Sequence, residues 1–324
     1  MATGVKRVYT DFKGVDFLEE PSLVNITRSP DALNVWKNYE DTQGACVETR
    51  TGFRKLAQIG TGPVYGIFIY SSFIAIIHSD NKLYEWSNFP NEPEEEDIKE
   101  IYSDMNNKKS YFNKVAEKLY INDGKNYLVY DGSTCKQVID DDPFIPTTTI
   151  SRTAGNIGGG ETLQDVNVLT PKRTNSFAGD GENKVFYLDA TEIDSEPVTA
   201  LVNDIELEEN TDFVVDRVAG KVTFNEVPSE PNLSGQDNVF ITFSKTVEGY
   251  TDRISKCTQA LLFDNRLFFT GNPDYPNAIF HSELNNPQYI SDLNYYEDGA
   301  GDSEITGMTV GNNILWVFKN LDQN

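Results

Sequence analysis

At 324 residues, with 51 acidic and 27 basic side chains, the chain carries a formal charge of −24. A surface of that sign repels phosphate backbones and anionic lipid headgroups, and no Lys/Arg cluster offers a local exception, so general nucleic-acid and membrane-surface binding are disfavoured. The length suits two domains better than one core, and Cys46, Cys135 and Cys257, odd in number and without a CxxC pair, indicate neither a disulfide framework nor a zinc site.

The three cysteines read as small buried hydrophobes of a protein made in a reducing cytoplasm. The N-terminus, Met1 to Arg7, lacks an apolar h-region, so no signal peptide is expected. Helical periodicity is scarce, and short apolar or alternating runs punctuated by Gly, Asn, Asp and Pro predict many short strands. Val64 to Tyr70, Phe73 to His78 and Lys82 to Trp86 read as an antiparallel meander, with Ser79-Asp80-Asn81 as its second turn. The stretch Ile67 to Ile77 is broken by Ser71 and Ser72 and is too short to span a bilayer, so membrane insertion is not expected. The acidic run Asn91 to Asp97 is a solvated loop; it lacks the alternation and glycine of a calcium loop.

The meander phrase returns at Lys114 to Gly124 with Tyr127 to Gly132, at Ala260 to Phe269, and at Met308 to Phe318. Each has a polar turn followed by an aromatic-rich strand, and the recurring Asn suits the positive-φ positions of a tight hairpin. Anchoring on Leu83, Leu119, Leu267 and Ile314 gives intervals of 36, 148 and 47 positions. Propeller blades recur at about 40–50 residues, so the long interval holds one blade spacing plus roughly 100 extra residues. Asp140 to Pro143 and Gly155 to Gly160 mark the opening linker of that insert, and Lys245 to Gly249 its exit. Inside it, strands are expected near 184–188, 198–202, 212–216, 220–224 and 238–243, enough for a small β-sandwich. The expected fold is therefore all-β: an incomplete β-propeller-like domain interrupted by a small sandwich. The expected division is 1–150 (N-terminal segment and first blades), 151–248 (inserted sandwich) and 249–324 (further blades).

Catalytic chemistry finds little support. His78 and His281 are the two histidines, each in an apolar run that reads as packed or rim-lying, and no G-x-S-x-G elbow accompanies them. Two histidines 203 positions apart make a poor metal centre. Gly158-Gly159-Gly160 is not followed by Lys-Ser/Thr and is a linker, not a phosphate cradle. No catalytic residue, metal ligand or cofactor is nominated. Tyr275, Tyr289, Tyr295 and Tyr296, together with Trp36, are read as surface aromatics at a subunit interface. Stacking on sugars, in a receptor-binding module or a glycan-depolymerising propeller, is the alternative use of such side chains.

Two regions resemble phage virion proteins. Asp11-Phe12-Lys13-Gly14-Val15-Asp16, Ser29 to Trp36 and Glu48-Thr49-Arg50-Thr51-Gly52-Phe53 are similar to the opening of phage tail nozzle and tail-hub stabilisation proteins, whose propeller blades follow an Arg-Pro-Gly-like turn. Asn265 to Asn277, with Tyr289-Ile290 beyond, looks like a blade of the same group. Residues 175–245 are similar to an immunoglobulin-like module of phage structural proteins, through Gly179-Asp180-Gly181, Val202-Asn203-Asp204 and Thr211 to Val215. The resemblance implies a non-enzymatic, homo-oligomeric ring of the virion tail or neck, assembled in the host cytoplasm. It implies contacts with other tail or neck proteins on the portal or adaptor side, and DNA passing through the channel without sequence-specific binding. An acidic channel wall would let DNA pass without sticking.

Overall fold

The computed structural model describes residues 12–33, 35–38, 46–49, 52, 54–299 and 303–320, with no side-chain description at 36–38 and 46–48. The chain divides into two compact units, Met1–Ala57 and Gln58–Asn324. In the first, β1 (Val35–Asn38) and β2 (Cys46–Thr49) pair antiparallel with Trp36 opposite Glu48. Arg28 there donates to the Asp16 carboxylate at 2.9 Å and holds its pKa below the ordinary value.

The second unit is all-β apart from one helical turn and two short 3-10 turns among its described residues. Its first sheet is the meander β3 (Val64–Ser71), β4 (Ile74–Ser79), β5 (Lys82–Ser87) and β6 (Ile98–Ser103), one strand more than the sequence suggested. The acidic run between β5 and β6 is an exposed loop closed by a 3-10 turn at Glu95–Asp97. The second sheet is β7 (Tyr111–Val115), β8 (Lys118–Asn122), β9 (Tyr127–Tyr130) and β10 (Cys135–Gln137).

This second sheet is buried on both faces. Successive side chains of a strand point to opposite sides, and β8 and β9 are apolar at nearly every position. Leu119, Ile121, Leu128 and Tyr130 pack with Ile76 and Leu83 of the first sheet. Tyr120, Tyr127 and Val129 pack the other way, with residues from later in the chain.

Beyond β10 the chain enters a different sheet pair. β11 (Thr147–Thr153) and β12 (Glu161–Thr162) begin a six-stranded sheet completed by β13 (Lys172–Ala178), β15 (Thr199–Val202), β16 (Ile205–Glu208) and β19 (Val239–Ser244). A three-stranded sheet of β14 (Val185–Tyr187), β17 (Phe213–Asp216) and β18 (Lys221–Phe224) shares its core. Phe177, Ile241 and Phe243 of the larger sheet meet Phe186, Phe213 and Phe224 of the smaller. Phe177–Phe186 and Phe186–Phe224 meet edge to face at 5.2 and 5.3 Å, an arrangement worth about 0.5–1.5 kcal/mol per pair beyond area burial.

The six-stranded sheet opens earlier than the Gly-rich run suggested. β11 pairs in parallel with β13, so Gly155 to Gly160 is a loop inside this region between β11 and β12. The β-branched run Thr147 to Ile150 favours a strand, and the glycines after it are loop punctuation, not a boundary.

Between β12 and β13 the chain returns to the four-stranded sheets: Val168 and Leu169 join the core that holds Tyr120 and Tyr127. After β19, residues 245–251 lead to α1 (Asp252–Ser255) and a third four-stranded meander, β20 (Gln259–Phe263), β21 (Arg266–Thr270), β22 (Ala278–His281) and β23 (Tyr295–Glu297). Leu267, Phe269, Ala278 and Phe280 pack on Tyr120, Tyr127 and Val129, so the third sheet lies on the second as the second lies on the first. A last hairpin, β24 (Ile305–Gly311) and β25 (Ile314–Lys319), follows. Its turn Asn312-Asn313, like Asp264-Asn265 and Asn203-Asp204, holds both residues at positive φ, the hairpin geometry that the recurring Asn implied. None of the sheets is closed.

The anchor Leu83 sits on the third strand of its meander, whereas Leu119 and Leu267 sit on second strands. The residue equivalent to them is Ala75, second in β4, and the first interval lengthens from 36 to 44 positions. β5 repeats the polar-turn and leucine phrase of β8, which is why sequence periodicity alone chose the wrong strand.

Asn167 ties the returning loop down. Fully buried, its amide donates to the carbonyls of Phe144 and Gln288, and its oxygen accepts from the N–H groups of Leu169 and Ile290. Asn167→Leu leaves the Phe144 carbonyl and the Leu169 and Ile290 N–H groups without their partner, while the Gln288 carbonyl keeps the Phe144 N–H, and an orphaned buried group costs about 1–3 kcal/mol. A urea denaturation curve is expected to show a loss of at least about 2 kcal/mol; a loss below about 0.5 kcal/mol would mean the loop is held by packing alone.

Candidate subunit interface

The tyrosines singled out from sequence fall in three different settings. Tyr295 and Tyr296 lie on β23, the outer edge of the third meander, and point to opposite faces. Tyr295 lies opposite Phe280 with ring centroids 6.1 Å apart. Tyr275, held by the Asn272–Tyr275 turn, meets the same Phe280 edge-on at 5.8 Å, and the Arg253 guanidinium lies over the rings of both Tyr275 and Tyr250. Tyr275 and Tyr295 therefore share one aromatic cluster around Phe280.

Tyr296, 61 % exposed, stacks instead on His281 at 5.3 Å on the other face. A row of rings runs across that face from β20 to β23: Phe263 to Phe268 at 6.1 Å, Phe268 to His281 at 5.7 Å, then Tyr296. Tyr289 is a correction. Expected on the surface, it is 8 % exposed, stacked on Phe144 at 4.8 Å, with its hydroxyl donating to the Asp165 carbonyl. Burial pushes that phenol up to about 12, and its role is inside the chain, beside the Asn167 contact. The side chain of Trp36 lies outside the described residues.

The larger exposed apolar faces were not singled out in the sequence. On β3, Ile67 and Ile69 stand out, with Phe73 beside them; on β25, Ile314, Trp316 and Phe318 do so. The signal was present: β3 and β25 are apolar at nearly every position, as a strand buried on both faces is, yet half their side chains meet solvent.

Both histidines are packed. The His78 ring is fully buried, with Nε2–H donating to the Asp80 carbonyl at 3.1 Å and Nδ1 accepting from the Ser110 hydroxyl at 2.7 Å. Desolvation lowers the pKa of His78 and of His281. Cys257 is buried with its thiol pushed well up, and the half-buried Cys135 is raised to about 12, so both are protonated and unreactive at neutral pH.

Among the described residues no group of three His, Cys, Asp or Glu side chains is placed to hold a metal ion, and no helix is long and apolar enough to cross a membrane. One cavity, of about 400 Å³, is lined by Ser195, Thr199, Glu206, Glu208, Glu209 and Arg217. Its guanidinium is consumed by two hydrogen bonds to Glu209, at 2.7 and 3.0 Å, and by the carbonyls of residues 194–196. That ion pair leaves no free cation to receive an anionic substrate.

No protein-family model matches the chain, and no curated protein is significantly similar to it.

Because the folded His78 and His281 resist protonation, acid shifts both toward the unfolded chain. Stability is fully present above the unfolded pKa of about 6.5 and falls as pH drops below it toward the depressed folded values. Urea midpoints are expected to be lower at pH 5.5 than at pH 7.5, and His78→Asn to reduce both the pH 7.5 midpoint and its pH dependence. An identical slope in the variant would remove His78 from this account.

Proposed function

We propose that the chain is a structural subunit of a bacteriophage tail or neck, one copy of a homo-oligomeric ring around the path by which DNA leaves the particle, and that it performs no catalysis. The observation that carries this reading is the succession of four-stranded antiparallel meanders packed face to face, with a two-sheet region inserted between the second and third. That order is what the resemblance to phage nozzle and tail-hub proteins implies. On this reading the meanders are propeller blades and the inserted region is an immunoglobulin-like sandwich.

The first strands of the successive sheets support it further. Lys114 of β7 donates to the Tyr70 carbonyl of β3, the Asn113 side chain of β7 accepts from the Leu262 N–H of β20, and Gln259 of β20 bonds the backbone of β24 at Thr306 and Met308. Neighbouring first strands are how blades surround an axis. The four strands contain no Asp or Glu and one Lys. A wall built from them would be near-neutral, not acidic as expected from the composition. Scarcity of cations serves the same end, because DNA affinity comes chiefly from Lys/Arg–phosphate contacts.

The subunit would meet other tail or neck proteins on the portal or adaptor side, after assembly in the host cytoplasm. Mass spectrometry and cryo-electron microscopy of particles made by the encoding genome test this. The chain is expected in fixed copy number as a ring on the DNA axis. Absence from the particle, or a place on a peripheral fibre, would overturn it, and release of sugars from host polysaccharide by the purified chain would favour a glycan-depolymerising propeller.

A further inference from the structure

We propose that the loop from Asp16 to Arg28 is the surface by which the chain docks on a different virion protein, one that offers an apolar groove rimmed by Lys and Arg. The proposal rests on the ring reading above and names the surface through which the ring meets that neighbour.

The loop is tied at its neck. Lys13 N–H donates to the Thr27 carbonyl at 2.8 Å, Asp16 N–H to the Ser29 carbonyl at 2.9 Å and Ser29 N–H to the Gly14 carbonyl at 3.1 Å, so the two limbs lie side by side. The Asp16 carboxylate, 12 % exposed, closes the neck. One of its oxygens accepts from the Arg28 guanidinium at 2.9 Å and the other from the Leu18 N–H at 3.1 Å. Within the loop, Leu23 N–H donates to the Glu20 carbonyl, Arg28 N–H to the Asn25 carbonyl, and the Asn25 side chain accepts from Thr27. A loop with close ends and turns of its own is an Ω-loop, a form that frequently carries function.

This ordered loop holds apolar side chains out into water. Between positions 17 and 26 only Val24 is buried. Phe17, Leu18, Leu23 and Ile26 are each at least 70 % exposed, Leu18 at 98 %. Single exposed apolar residues are ordinary on a surface, but four on one clamped loop concentrate apolar surface as interaction sites do. The neck bonds order the backbone before any partner arrives, so little further ordering opposes docking.

Charge selects the partner. Glu19 and Glu20 stand exposed between Leu18 and Leu23, so whatever covers these leucines receives two carboxylates at its rim. Met1–Ala57 carries eight basic and eight acidic side chains, so the whole charge of −24 belongs to Gln58–Asn324. A second copy would set that acidic unit against Glu19 and Glu20, a like-charge meeting that disfavours it. Anionic lipid headgroups are disfavoured for the same reason. A groove rimmed by Lys and Arg receives both the apolar side chains and the carboxylates.

The test places two paired substitutions in the encoding genome, Leu18→Asp with Leu23→Asp and Glu19→Lys with Glu20→Lys, and counts copies of the chain per particle by quantitative mass spectrometry. Each pair is expected to lower the count about tenfold or more, as loss of central contacts does at an interface. The purified variants must keep the wild-type urea midpoint; where the leucine pair does not, Phe17→Asp with Ile26→Asp replaces it. A benzophenone side chain in place of Phe17 is expected to photo-crosslink, in the particle, to a different protein at a segment carrying Lys or Arg. Wild-type copy number in either variant overturns the proposal, as does a cross-link to a second copy of this chain. Flotation of the purified wild type with phosphatidylcholine vesicles, lost in the leucine variant, would make the occupant a membrane and overturn it as well. An axial ring that forms normally with the variants leaves the ring reading standing and this loop refuted, whereas absence of the wild-type chain from the particle removes both.

Discussion

The second meander has two apolar faces, and the rest of the four-stranded stack follows from that. Leu119, Ile121, Leu128 and Tyr130 on one side, and Tyr120, Tyr127 and Val129 on the other, are almost entirely removed from water. Burying one such side chain contributes about 1.5–3 kcal/mol, a gain lost on whichever face lacked a neighbour. The sheet therefore requires one meander behind and one ahead, and the chain supplies both, from residues 64–103 and 259–297. At the ends of the stack apolar exposure is confined to single strands, with Ile67 and Ile69 on β3 and Ile314, Trp316 and Phe318 on β25.

The two-sheet region sits between the second and third meanders without breaking that contact, because the chain passes through it by way of a detour. Having formed β11 and β12, the backbone returns to place Val168 and Leu169 in the meander core, where Asn167 bonds the loop segments at Phe144, Leu169 and 288–290, and only then builds β13 to β19. The phenylalanine core of that region is separate from the cores on either side of the second meander. A unit with its own core, attached through ordered crossings, can vary its exposed loops without disturbing the stack that carries it.

Charge and apolar surface are segregated. The excess of carboxylates lies in loops and on strands such as β16, while the first strands of the meanders and the forward face of β25 are nearly free of them. A chain of net charge −24 is kept apart from its copies by repulsion over most of its surface, so wherever copies do meet, charge-poor faces are the ones that suit the contact. The proposed ring draws on this segregation.

Much of the fold was legible in local pattern. Strand identity followed from β-branched and aromatic runs, and hairpins followed from Asn and Asp at positive φ, because both depend on residues adjacent in the chain. The solvated acidic loop at 91–97 and the packed state of His78 were legible for the same reason. What the sequence could not determine is which alternating strand has a neighbour. Tyr289 and Tyr296 look alike in sequence, yet one is stacked on Phe144 and the other stands in solvent; Trp316 holds the position of Tyr120 and is half exposed. The parallel pairing of β11 with β13 and the return of Asn167 to the meander core both rest on contacts between residues far apart in the chain. Sequence alone determined where strands and turns form, because those preferences are local; only the tertiary structure decided which faces are covered, because burial belongs to the pair of surfaces and not to either strand.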